Sequence, residues 1–181
     1  MLNRTVKWPE GAGHGVVMPH TQIGSLLQSS LETSTEVILK AHDVAIADLP
    51  VTEDGPQLCA VLGFTGPLLK GSLLVGVGRA TLDALPHGGL PSEWLAELSN
   101  QLLGRVKHEL LGWSVEIYLA TPAVIAGERI RPLDGPSSAE HASWHYGGIW
   151  MWLEADPSPA LNLDGGRAEV ESLNLGDALL F

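Results

Sequence analysis

Cysteine is almost missing from this chain. Cys59 is the only one in 181 residues, so no internal disulfide can form, and a reducing compartment is the simplest setting. Positive charge is scarce as well. Ten Lys and Arg stand against 21 Asp and Glu, a formal net charge of −11, which repels phosphate backbones and argues against nucleic acid as a partner. No Lys/Arg-rich run is present to hold an anionic membrane, and no apolar run approaches the roughly 18–20 residues a spanning helix needs. The opening stretch, MLNRTVKWPEGAGHG, lacks the apolar segment of a signal peptide. These absences together predict a cytoplasmic protein. What remains is a chain with 45% hydrophobic and 17% charged residues, a composition that folds around a sizeable core instead of staying disordered.

Three parts follow from composition and pattern. Residues 1–19 carry Pro9, Gly11, Gly13, Gly15 and Pro19 and read as an irregular lead-in. Residues 20–154 carry the periodic segments, and residues 155–181 are rich in Pro, Asp and Gly and read as a peripheral tail. Within the middle part, Ile23, Leu26, Leu27, Leu31, Val37 and Ile38 trace one face of a helix from His20 to His42, with Thr21 as its N-cap. Val44 to Leu49 suggests a short strand. Leu58–Phe64 and Leu68–Val77, around Thr65-Gly66-Pro67, read as an antiparallel hairpin, and Arg79–Leu85 as a short helix.

Pro91–Leu111 is the strongest helix, with Ser92 placed to cap it, Glu93 in the first turn and Gly112 after the last. Trp113, Val115, Ile117 and Leu119 then alternate with polar residues, as in a half-buried strand, and Ile149–Leu153 is a near-continuous apolar strand. Gly127–Glu140 reads as a loop. The sum is an α+β domain, an antiparallel sheet with two long helices packed on one face.

On a wheel of about 100° per residue, Leu95, Leu98, Leu102, Val106 and Leu110 share the core side. Glu93, Glu97, Asn100, Gly104 and His108 form a polar stripe opposite, with Glu97 and Asn100 one turn apart. Exposed helix faces are polar by default, so a solvated surface is the bland reading. Three choices argue for more. Gly104 in a helix interior costs about 0.5–1 kcal/mol relative to alanine. Glu93 and Glu97 repel each other at (i, i+4), and asparagine is a poor interior helix former.

The segment Glu97-Leu-Ser-Asn100-Gln-Leu-Leu-Gly104-Arg-Val-Lys107, with Leu110, Gly112, Thr121-Pro122 and Gly127 downstream, resembles the CheC/CheX/FliY family of chemotaxis phosphatases, and its CheX branch above all. The hairpin with Gly66 and Gly71 ahead of the helix at Arg79 fits in order and spacing. The resemblance is specific over about residues 91–127 and looser over 20–153. It implies a phosphatase for the phosphoaspartate of a CheY-like receiver domain. Asn100 would orient the attacking water and Glu97 would dock a receiver lysine. Glu93, Gly104, Lys107 and His108 would meet the partner. The chain would need no cofactor of its own, because the Mg²⁺ is the receiver's. It also implies pairing of two copies through strands.

The sequence departs from the family pattern in three ways. Glu93 stands where the family has Asp or Ser. Pro122 falls one residue closer to Asn100. Only one full motif is present, since the first long helix offers Glu32-x-x-Thr35 without an amide. A non-catalytic adaptor that binds a receiver or a chemotaxis complex is therefore the alternative.

Other signals are weaker. His141 and His145, with Glu140 adjacent, would present metal ligands if helical, but the H-E-x-x-H order is absent. Glu171-x-x-Asn174 repeats the motif in the tail without a glycine or an apolar face. Cys59 sits in an apolar strand and reads as buried and inert. Trp144, Trp150 and Trp152 read as core or as a strand-edge dimer surface.

Overall fold

The structure is a computed structural model that describes residues 22–42, 44, 50, 55–84, 89–130, 132, 139–146 and 148–164. The elements run α1 (Gln22–Ala41), β1 (Leu58–Thr65), β2 (Leu69–Val77), α2 (Arg79–Ala84), α3 (Pro91–Leu111), β3 (Tyr118–Leu119), β4 (Ala123–Ala126), β5 (Glu140–Tyr146) and β6 (Ile149–Pro157). The expected Thr21 cap, nearly all of the Val44–Leu49 strand and most of the Gly127–Glu140 loop lie outside the described residues, as do residues 1–19 and 165–181.

All strands join one antiparallel sheet in the order β3-β1-β2-β6-β5, with β4 also on β1. β3 and β4 follow one another along the same side of β1. β3 faces Phe64 and Thr65, and β4 faces Leu58 to Val61. Between them the ladder loosens at Thr121-Pro122, where proline has no N–H to give, although Ala120 N still donates to Gly63 O at 2.9 Å.

Strand periodicity sets the two sheet faces. Ala60, Leu62 and Phe64 of β1, Leu73, Val75 and Val77 of β2, and Ile149, Met151 and Leu153 of β6 point to the same side. There they meet Leu27, Leu31 and Ile38 of α1 and Leu95, Leu102 and Leu110 of α3 in one core. Both long helices thus cover a single face of the sheet, as the pattern predicts. In α1, however, Val37 is exposed and Leu39 is buried. The core face is rotated by about a residue from the one the spacing suggests.

Three boundaries differ from expectation for identifiable reasons. β5 was not visible as a strand. Its alternation is weak in apolar content, and pairing with β6 from Glu140↔Ala155 to Tyr146↔Ile149 creates it. β6 itself runs on to Pro157 because β2 pairs with it along its whole length, and beyond it Leu163 is buried against the core. The stretch after α3 keeps its inward alternation, since Val115 and Ile117 are buried, but only Tyr118 and Leu119 join the ladder. Residues 115–117 pass instead over Gly66, where a Cβ would run into the Glu116 carbonyl. Gly66 is glycine because a neighbouring backbone lies against it.

Candidate functional site

α3 begins at Pro91, preceded by Leu90 in extended backbone, with no side-chain cap. Ser92 is therefore not the cap. Proline at the first helical position is preorganised in φ and lacks an N–H that would have had no partner, and Glu93 remains in the first turn where the helix dipole favours an acid. At the other end Gly112 is right-handed, with φ −60°, and the left-handed residue is Ser114 at φ 58°. Ser114 N donates to Leu111 O and Val115 N to Leu110 O, both at 3.0 Å. That reciprocal pair is a Schellman closure with Ser114, not glycine, in the strained position.

Between these ends the wheel holds. Leu95, Leu98, Leu102, Val106 and Leu110 are buried, joined by Leu103 and Ser99, whose hydroxyl donates to Leu95 O at 2.9 Å. Fully burying each leucine stabilises by ~1.5–3 kcal/mol, so the helix easily carries the ~1 kcal/mol that Gly104 costs.

The opposite face is open. Glu93 and Glu97 are exposed, and Asn100, Gly104, Lys107 and His108 are half-buried. Asn100 lies about 4.5 Å up the axis from Glu97, and Gly104 about 6 Å further. Gln101 Nε2 donates to Glu97 Oε1 at 2.9 Å, which holds the carboxylate beside the stripe and leaves its second oxygen as an acceptor. Gln101 is not among the residues the motif singles out, and its (i, i+4) spacing from Glu97 is the sequence signal for this bond. The Asn100 carboxamide makes no hydrogen bond to a described residue. A Cβ built on Gly104 would meet nothing within 4 Å. No contact among the described residues requires glycine there.

All six expected positions therefore lie along one helix, with Glu97, Asn100 and Gly104 on a single rail. The comparable position on α1 is closed. Thr35 is fully buried, its hydroxyl donates to Leu31 O at 2.7 Å, and it touches Met151 Sδ at 3.6 Å.

The other candidates fare differently. His141 and His145 stand on β5, not on a helix. Four residues of strand separate their Cα atoms by about 13 Å, against roughly 6 Å for the same spacing on a helix. Among the described residues no group of three His, Cys, Asp or Glu gathers as a metal site. Cys59 is buried, and burial pushes its thiol up to about 12, so it stays protonated at neutral pH. Trp150 is buried. No described helix is long and apolar enough to cross a membrane.

No protein-family model matches the chain, and no curated protein matches it in sequence. Solved structures do. A CheC-like superfamily protein from Shewanella sp. PV-4 superposes with a TM-score of 0.57 at 18% identity, over 72% of this chain and 97% of that one. The chain has the CheC/CheX-like fold. CheX from Vibrio vulnificus gives a TM-score of 0.51 at 17% identity, over 72% of this chain and 96% of that one. CheX in a CheX–CheY–BeF3–Mg complex from Borrelia burgdorferi gives 0.51 at 14%, over 72% and 97%. The CheX-like fold accounts for nearly the whole of each neighbour, so the shared part is an entire domain and not a common fragment. At these identities the likeness is one of fold.

Proposed function

We propose that this protein is a phosphatase for the phosphoaspartate of a CheY-like receiver domain, acting from the exposed face of α3 in the cytoplasm. One observation carries the reading. On a CheX-like fold, the polar rail of α3 offers a carboxylate, an amide without a partner among the described residues and a glycine that no contact with them requires. A surface built only for solvent has no use for the glycine's cost.

In this reading the helix lies across the receiver's active site. Glu97 accepts from a receiver lysine in a charge-assisted contact. Asn100 enters the site, its carboxamide accepting from and donating to one water. The water oxygen attacks phosphorus in line, the bond from phosphorus to the aspartyl oxygen breaks, and aspartate and inorganic phosphate separate. The Mg²⁺ that neutralises the phosphoryl oxygens is the receiver's. An amide is no base at neutral pH, so its contribution is position and not proton abstraction. Positioning and charge stabilisation are what phosphoryl transfer asks for. Two copies paired through strand edges belong to the same reading, supported by the exposed Tyr118 and Ile125 on the β3/β4 edge.

The test is the decay of a phosphorylated receiver with and without the protein. Wild type accelerates decay, and Asn100→Ala reduces the acceleration by about 10²-fold, the effect of losing one transition-state hydrogen bond. A second reading, a non-catalytic adaptor, is favoured by Glu93 in place of Asp or Ser. It predicts binding of the phosphorylated receiver with no change in its decay.

A further inference from the structure

The polar rail does not end at His108. Continued by the same (i, i+3)/(i, i+4) steps, it runs 93, 97, 100, 104, 107 and 108, and then reaches Leu111, which is 43% exposed. A single exposed leucine is ordinary. This one stands on the rail, three turns and about 16 Å beyond Asn100, with the open space over Gly104 between them. A partner close enough to touch Asn100 passes over Gly104 and reaches Leu111 without the helix bending.

Charge along the rail is also ordered. Glu93 and Glu97 occupy its first half, and Lys107 and His108 its second half, while Arg105 lies roughly 160° around the helix from Lys107 and off the rail. The chain has only ten Lys and Arg in all, so a lysine beside a histidine on the rail stands apart from a net charge of −11. A rail that is acidic at one end and basic at the other accepts a charged partner in one direction only, because the reversed pose sets like charges together.

Resting on the reading that α3 docks a receiver, we propose that Leu111, with Lys107 and His108 at (i, i+4) and (i, i+3) from it, forms a second docking point. It takes a receiver surface on which an apolar side chain is ringed by carboxylates, about 16 Å from the phosphoryl group. Glu97 and Asn100 address the chemistry, and Leu111 sets affinity and direction. Leu111 acts on binding and is no catalytic residue.

The experiment titrates full-length wild type, Leu111→Asp, Leu111→Ala and Asn100→Ala with each single-domain receiver of the source organism, loaded with beryllofluoride and Mg²⁺. Decay kinetics of the same receivers run in parallel. Wild type binds. Leu111→Asp weakens binding and raises KM by about ten-fold or more, as for an interface anchor, with kcat within about two-fold. Leu111→Ala falls between, and Asn100→Ala binds like wild type while losing kcat. Leu111 is exposed, so the melting transition of both variants stays near that of wild type. Equal binding by Leu111→Asp and wild type overturns the second docking point and leaves the α3 reading standing. Failure of wild type to bind any loaded receiver overturns the α3 reading, and the docking point with it.

Discussion

At Gly104 two demands oppose each other. Helix stability asks for a side chain, and the open space at its missing Cβ would accept one. If glycine is kept for a partner's approach, Gly104→Ala separates the two. It stabilises the isolated protein by about 0.5–1 kcal/mol, seen as a higher melting temperature, and it slows receiver dephosphorylation by raising KM. A variant that is both more stable and equally active would mean the glycine has no docking role. Asn100 and Glu97 were legible as a pair because (i, i+3) spacing places them together whatever the tertiary structure does. The bond from Gln101 to Glu97 followed from the same rule and was available to be read. Leu111 falls in the same sector of the wheel, where an apolar residue on a polar face is the signal for its exposure.

At the scale of elements, α3 shows where sequence patterns succeed and where they fail. Its buried side is written in leucines at helical spacing, each stabilising by more than any local preference costs, so the core face follows the pattern. Its ends are decided by fractions of that energy. The glycine that marks a helix stop is right-handed here, and Ser114 takes the left-handed position at φ 58°. That conformation costs a non-glycine residue roughly 1 kcal/mol. Ser114→Gly should therefore stabilise by about that amount in denaturant titration, with the effect of the protein on receiver decay unchanged.

α1 gives the complementary case. Thr35 occupies the place of the amide but faces Met151 in the core. Thr35→Asn, which completes a second Glu-x-x-Asn motif, should destabilise by about 1–3 kcal/mol through an unsatisfied buried amide. The single-mutant decay assay should show no added activity. β5 was illegible for a different reason. Its residues lack the aliphatic alternation of β1, β2 and β6, and the signal lay instead in the Gly147-Gly148 pair of the sequence, since Tyr146 pairs with Ile149 across a two-residue connection.

Across the whole molecule, the sheet and the two long helices were legible, because alternation in β1, β2 and β6 and the period of α1 and α3 agree on one core. The agreement fixes which face of α3 is left outside, and so the site follows from the fold. Hydrophobic periodicity could not reach the β5 edge, whose residues are short of aliphatic alternation, or the course of the chain over Gly66, which depends on tertiary approach. The CheX-like fold presents α3 as an outer layer, with its amide rail directed away from the sheet. Everything proposed for function depends on that presentation.

The most direct measurement follows the decay of a phosphorylated CheY-like receiver alone, with wild-type protein, and with Asn100→Ala, after circular dichroism has shown that the variant is folded. The account predicts accelerated decay with wild type and about 10²-fold less acceleration with Asn100→Ala. Full acceleration by Asn100→Ala, or none by wild type bound to the same receiver, would contradict it.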